Sequence, residues 1–403
     1  MTGTAEASLM QPPGPEEPAI RERTAMARPF GRLGLFAGFL MLAATAQGAP
    51  AAFPNQTEAD YVAKDFRFSS GVTLPEVKLH YTTLGTPHRN ANGEIDNAVL
   101  VLHGTTGTGK SFLIPTLGPE LFGDGAPLDA AKYYVILPDG LGRGGSAKPS
   151  DGLKAAFPRY GYGDVVAGQY RVVTEALGLK HLRMVLGTSM GGMQAWMWGE
   201  RYPEAMDLIM AVASQPIAVS GRNALWRRLL IEGIRNDPDW QGGAYTEQPK
   251  HFQKILPIFN IMTESVLGLQ KQAPTHADAN RLYDSIADGF SGKADANDWL
   301  YWFDSTFDYD PYPGLDRITA KVLAVNFADD ELNPPQLDVM NPAMARLKDG
   351  RFVLVPTSAE THGHQSLRFA KLWKGYLAEF LASPKAVTDG ANSSEGPGGA
   401  PAR

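Results

Sequence analysis

Short apolar runs alternate with stretches of helical period along most of the chain. Runs rich in Val, Ile, Leu and aromatic residues fall at residues 64–69, 77–84, 98–102, 133–137, 182–186, 208–213, 322–327 and 352–355, each of a length that suits a strand. Between the later runs the apolar positions recur at helical spacing. Residues 164–177 place Val165, Val166, Tyr170, Val173 and Leu177 at that spacing, and Gly178 follows as a C-cap glycine. Residues 191–202 and 364–381 read as helices in the same way. This alternation predicts an α/β fold with a mostly parallel, eight-stranded sheet flanked by helices.

One connection breaks the rhythm. Residues 216–320 contain no convincing strand but carry helical patterns at 223–235, 251–269, 279–287 and 297–303. A structureless loop of that length is implausible in a compact domain, so the segment is expected to form an inserted helical cap. Its Trp226, Trp240, Trp299, Tyr301 and Trp302 either line a substrate cavity or fill the cap's own core. The core domain is then split into residues 47–215 and 321–382.

The two ends differ in character from what lies between. Arg21, Arg23, Arg28 and Arg32 precede an apolar stretch over residues 33–44, and Ala44-Thr45-Ala46 supplies a small-x-small pattern. That stretch is short for a bilayer span and resembles a signal peptide cleaved near Gln47, which predicts an exported protein, periplasmic or secreted, with no stable membrane association after cleavage. A retained anchor is the alternative. Residues 1–20 and 383–403 are rich in Pro, Gly, Ala and Ser or Glu and are expected to be disordered.

Composition narrows the chemistry. The 403 residues carry a formal net charge of -6, which leaves no global basic surface and argues against nucleic acid as a partner. The chain has no cysteine, so disulfides, thiolate nucleophiles and Cys-ligated metals are excluded.

Two glycine-rich strings then compete for attention. His103-Gly104-Thr105-Thr106-Gly107-Thr108-Gly109-Lys110-Ser111 follows the apolar run ending at Leu102 and satisfies the phosphate-loop pattern. A nucleotide site would need a robust helix next, but Pro115 and then Gly118-Pro119 interrupt it. The acid such a site requires would be Asp139, and Pro138 breaks the run before it. The second string is Gly187-Thr188-Ser189-Met190-Gly191, with an apolar strand before it and a helical pattern after it. This is the nucleophile elbow, in which a sharp strand-to-helix turn leaves no room for side chains beside the serine and lifts its hydroxyl clear of the sheet.

A serine hydroxyl needs an imidazole to take its proton and a carboxylate to orient that imidazole. On this type of fold the order along the chain is Ser, acid, His. Asp329, Asp330 and Glu331 follow the seventh apolar run, and His362 and His364 follow the eighth. Order and position favour one residue from each cluster without choosing within it. One oxyanion donor is expected from the backbone N–H of Met190 and the other from Thr105, in the loop after the third strand, leaving Lys110 and Ser111 as bystanders. No cluster of metal ligands outcompetes this constellation, although His362 and His364 with nearby acids offer a zinc alternative.

From about Val77 to Leu381 the chain resembles the homoserine O-acetyltransferase-like branch of the α/β-hydrolase superfamily. The resemblance rests on the segments at residues 97–107, 144–150, 162–166, 187–194, 237–245 and 330–335, and on Gly363-His364. It implies the α/β-hydrolase fold with Ser189 as nucleophile, Asp330 as acid and His364 as base, with Asp329 and His362 as the alternatives. In the homoserine enzymes an arginine in the first cap helix, six residues before an Asp-Pro, holds the amino acid's carboxylate. Counting back from Asp237-Pro238 places Ile231 there, with Arg227, Arg228 and Arg235 nearby. That departure removes a charge-assisted clamp. The chain is therefore expected to be a serine hydrolase that cleaves a carboxylic ester or related acyl bond in a small-molecule substrate, with no cofactor and no metal, and a homodimer is allowed. An acetyl-CoA-dependent O-acyltransferase is the alternative, and a ligand-binding protein without turnover is the alternative of another class.

Overall fold

The computed structural model describes residues 53–290 and 294–382; the expected leader and tail lie outside these. The strands are β1 (Thr57–Arg67), β2 (Thr73–Leu84), β3 (Ala98–Leu102), β4 (Tyr134–Pro138), β5 (Leu182–Thr188), β6 (Met206–Val212), β7 (Lys321–Phe327) and β8 (Gly350–Val355). They join one sheet in the order β1-β2-β4-β3-β5-β6-β7-β8. β2 pairs antiparallel with β1 and with β4, and every other pairing is parallel. All the apolar runs become strands. The largest departure is β1, which starts at Thr57, seven positions before its apolar run at Lys64. Most of its side chains are exposed, so backbone pairing with β2 at the sheet edge extends it where hydrophobic pattern cannot.

The central strands are buried on both faces. In β3, Leu100 and Leu102 join the apolar layer on one side of the sheet, and Val99 and Val101 join the layer on the other. Helices cover both layers. α1 (Tyr162–Arg171) continues through a π turn at Val172–Ala176, and Gly178 ends the segment at φ 63°. α2 (Met190–Arg201) buries Trp196 and Trp198 in the first layer.

The expected cap forms from α3 (Gly221–Arg235), α4 (Pro257–Thr263), α5 (Val266–Gln272), α6 (His276–Phe290) and α7 (Ala296–Asp304). These helices share a core of their own around Trp226, Leu230, Phe252, Trp299 and Phe303. The single helix expected over residues 251–269 is instead broken into pieces. Pro257, which lacks an N–H, starts α4, and Ser265 starts α5 by accepting a hydrogen bond from the Gly268 N–H at 3.0 Å. The last helix is also shorter than its periodicity predicts. α8 covers only Lys374–Leu381, because residues 365–372 make two tight turns tied to the rest of the fold. In those turns the Ala370 N–H bonds to the Thr116 carbonyl and the Ser366 hydroxyl accepts from the His362 N–H. α8 buries Leu377 and Phe380 in the second layer, alongside Trp373 just before it.

Candidate active site

β5 delivers Ser189 to a turn whose backbone only its neighbours permit. Ser189 sits at φ 54°, ψ -117°, a conformation costly for a residue with a side chain. Two glycines make the turn possible. A Cβ at Gly187 would lie 2.0 Å from the Gly191 carbonyl oxygen, and one at Gly191 would lie 2.0 Å from that of Leu102. The spacing of glycines around the serine is thus a packing requirement between β5, α2 and the end of β3.

The structure brings one member of each late cluster to Ser189. Its hydroxyl lies 2.7 Å from His364 Nε2, and His364 Nδ1 lies 2.8 Å from Asp330 Oδ2. Asp330 is 1% and His364 4% exposed, so the pair is shielded from water. His362 is elsewhere: its ring stacks on Phe369 and its Nδ1 is 4.0 Å from Glu264 of the cap. Asp329 is elsewhere too, accepting from the Gly363 N–H at 3.0 Å. It supports the loop that carries His364 without touching the imidazole.

Asn333 decides the tautomer of His364. Its amide nitrogen lies 3.3 Å from His364 Nδ1, yet its two hydrogens are already donated, to Asp330 Oδ2 at 2.9 Å and to the Ala213 carbonyl at 3.0 Å. Nδ1 must therefore carry a hydrogen and donate it to Asp330, which leaves the Nε2 lone pair facing the serine hydroxyl. Burial by itself would raise the Asp330 pKa. The attraction of His364 and the hydrogen bonds from His364, Asn333 and the Leu332 N–H outweigh it and hold the carboxyl below its ordinary range. Asn333 lay within the Asp-x-x-Asn-Pro-Pro string, but spacing alone does not reveal that it turns back onto Asp330.

The loop after β3 folds against the serine. A Cβ at Gly104 would come 3.5 Å from that of Ser189. Thr105 and Met190 are both buried, and their backbone N–H groups bond to no acceptor among the described residues. Much of the remaining phosphate-loop string is already hydrogen-bonded within the protein. The Gly107 N–H bonds to the Gly104 carbonyl, that of Thr108 to the Ser111 hydroxyl, and that of Gly109 to Asp139 Oδ1 at 2.7 Å. Residues Gly109–Leu113 form one short 3-10 turn, and Lys110 reaches Glu58 on β1 at 2.8 Å. The amides of Gly107, Thr108 and Gly109 are thus already satisfied and do not point into a free phosphate cradle.

A cavity of about 190 Å³ opens beside Ser189 and His364, bounded by Thr105, Phe112, Leu117 and Arg368. The cap contributes Phe259 from α4 to its lining. None of the five cap aromatic residues for which the sequence left cavity and cap core as alternatives lines it. Trp226 and Trp299 fill the cap core, Trp240 bonds to Asn297 at 2.9 Å, and Tyr301 donates to the carbonyls of Ala155 and Phe157. Trp302 donates its indole N–H to the Thr105 carbonyl.

Two further clusters bear on chemistry. Asp237, Asp239 and His251 gather in the cap, but the buried Asp237 carboxylate already accepts N–H bonds from Asp239, His251 and Phe252. Its geometry is that of a loop clamp. Arg227 on α3 is only 5% exposed; its guanidinium lies over the rings of Trp226 and Phe303 and bonds to Asn223. One of its terminal nitrogens is buried without a partner, and no described carboxylate pairs with it.

Residues 97–358 match the alpha/beta hydrolase fold family. The chain belongs to this family. Within it the chain falls in the homoserine O-acetyltransferase-like branch, being 34% identical to a homoserine O-acetyltransferase of Chlorobaculum parvum over 58% of this chain and 68% of the relative. Among solved structures it is similar in fold to the homoserine O-acetyltransferase of Bacillus anthracis, with a TM-score of 0.72 at 22% identity, covering 82% of this chain and 99% of the other. It is also similar in fold to the acetyl esterase MekB, with a TM-score of 0.70 at 24% identity over 81% and 97% of the two chains. This α/β-hydrolase-fold protein is thus an enzyme of a family whose members both transfer and hydrolyse acyl groups.

Proposed function

We propose that this enzyme is a serine hydrolase that cleaves a small carboxylic ester through an acyl-serine intermediate. The observation that carries this reading is the hydrogen-bonded line from Ser189 through His364 to Asp330, 2.7 Å and 2.8 Å long, at the edge of a small cavity. The Ser189 hydroxyl attacks the acyl carbonyl while His364 Nε2 takes its proton. The tetrahedral oxyanion is held by the N–H groups of Thr105 and Met190. His364 then returns the proton to the departing alcohol, and water, activated by the same imidazole, releases the acyl group as a carboxylic acid. The cavity, at about 190 Å³, is below the range that holds drug-sized ligands and suits a short acyl group. Water is favoured over an amino-acid acceptor because Ile231 stands where the homoserine enzymes carry their carboxylate-binding arginine.

Acyl transfer has one specific observation in its favour. A buried guanidinium without a counter-ion is costly, and Arg227 is such a group one helical turn before Ile231. The two readings separate in one experiment. Hydrolysis of p-nitrophenyl acetate that vanishes in Ser189→Ala supports the hydrolase, and absence of activity in the wild type refutes it. Release of CoA from acetyl-CoA that depends on added homoserine would favour the transferase. The same reading puts the enzyme outside the cytoplasm, on the strength of the basic and apolar pattern in residues 21–46. Mass spectrometry of the mature amino terminus tests this, and a chain that retains Met1 in the cell refutes it.

A further inference from the structure

Three consecutive carbonyls of the loop after β3 are each held by a different anchor. The Gly104 carbonyl accepts from His103 Nδ1 at 2.9 Å, the Thr105 carbonyl from the Trp302 indole, and the Thr106 carbonyl from Arg143 at 3.0 Å. His103 is itself fixed, because its Nε2 accepts from the Gly140 N–H at 2.9 Å, which obliges Nδ1 to carry the hydrogen. Burial pushes its pKa down and keeps the ring neutral in that tautomer. In a planar trans peptide the carbonyl and the next N–H point in opposite directions, so a carbonyl pinned on one side aims an amide to the other. His103 thereby sets the peptide plane that ends in the Thr105 N–H, and Trp302 sets the plane after it.

Trp302 also lies beside the other two anchors of the loop. Its ring stacks on His103, with centroids 6.3 Å apart and planes 17° from parallel, while the Arg143 guanidinium lies 5.7 Å from its own ring centre. It is 2% exposed, and it stands on α7, a helix of the cap and not of the sheet domain. The oxyanion loop therefore takes one of its three anchors from an inserted segment that also supplies Phe259 to the cavity.

We propose that Trp302 is a positioning residue through which the seated cap holds the oxyanion loop in its reactive form. The inference rests on the hydrolase reading of Ser189 and deepens it: with the indole bond broken, Thr105 is held on one side only, by the His103 bond to the Gly104 carbonyl, so the residue can turn and the tetrahedral state loses a preorganised donor. The ground-state ester, which has no full negative charge on that oxygen, is affected much less.

The test compares wild type with Trp302→Phe in p-nitrophenyl acetate hydrolysis and in inhibition by a small alkylboronic acid, whose serine adduct is tetrahedral. Removing a direct oxyanion donor costs about 10²–10³ in kcat, so an anchor one bond removed is expected to cost about ten- to a hundredfold. KM should stay within about threefold, the boronic acid should weaken by a factor similar to the fall in kcat, and the shape of the pH–rate profile should not change. Replacing Trp302 by benzothienylalanine, which exchanges only the ring N–H for sulfur, gives the same comparison if the phenylalanine variant does not fold. Unchanged kcat and unchanged boronic acid affinity in a folded variant overturn the proposal alone. A wild-type enzyme without esterase activity overturns the hydrolase reading and the proposal with it.

Discussion

Asp330→Asn changes one atom in the hydrogen-bonded line, and the surrounding donors dictate how the site responds. Oδ1 of Asp330 accepts from the N–H groups of Leu332 and Asn333 at 2.8 Å and 3.2 Å, so the asparagine oxygen must take that position. Its NH2 group then replaces Oδ2, facing His364 Nδ1 and the Asn333 amide nitrogen. Donation to Nδ1 forces the hydrogen of His364 onto Nε2, which would point an N–H at the Ser189 hydroxyl and could not accept its proton. A tautomer reversal of this kind lowers kcat by about 10⁴ in serine proteases, or about 5 kcal/mol on the barrier. The facing NH2 groups of residues 330 and 333 also clash as two donors, which costs about 1–3 kcal/mol of stability. The assay is kcat for p-nitrophenyl acetate near neutral pH, with circular dichroism to establish that the variant is folded. Asp329→Asn is the control, since among the described residues the Asp329 carboxylate accepts a hydrogen bond from the Gly363 N–H and none from His364, and it is expected to stay within about tenfold of wild type. A loss below tenfold in folded Asp330→Asn, or an equal loss in both variants, refutes the assignment of the acid.

Three other outcomes rest on particular contacts. Lys110→Ala removes an ion pair with Glu58 whose side chains are 50% and 42% exposed, so stability should change by less than about 1 kcal/mol and esterase activity should persist; a collapse of activity in a folded variant would revive the phosphate-loop reading. Ser189→Gly should be inactive yet more stable than Ser189→Ala by about 1 kcal/mol in urea unfolding, because glycine relieves the positive φ that alanine retains, and equal stability would mean the turn is not strained. Burial raises the Asp298 carboxyl from its ordinary 3.8 to about 6 despite hydrogen bonds from Ser150. The folded state then binds this proton more tightly than the unfolded chain, so wild-type stability should fall as pH rises from about 4 to about 7, by up to about 3 kcal/mol. Asp298→Asn can still accept from the Ser150 N–H and can donate its NH2 to the Ser150 Oγ, and it lacks this fall, so urea unfolding curves of the two proteins that run parallel across that range would refute it.

Local chemistry along the chain was enough to determine the strands, the elbow and the two loops that carry the acid and the imidazole. Each of these depends on near neighbours. Apolar runs mark buried strands whatever their partners, and the glycines around Ser189 are demanded by a turn only five residues long. Sequence could not distinguish Asp330 from Asp329 or His364 from His362 on the residues alone, because nearby positions in one loop share their surroundings in the chain and differ only in the direction of the side chain. The resemblance to the homoserine enzymes pointed to Asp330 and His364, and in the structure His364 meets Ser189 and Asp330 meets His364. Periodicity also ran on through Ser265 and through residues 365–373, where capping and ties to Thr116 and His362 stop the helices. The cap was legible as an insertion, but which of its aromatic residues approach the site was not. Trp299 and Trp302 stand about one turn apart on α7, and only packing turns the first into cap core and aims the second at the Thr105 carbonyl. Periodicity reports that a side chain is buried; what it is buried against depends on residues far away in sequence, and the tertiary structure alone brings those together.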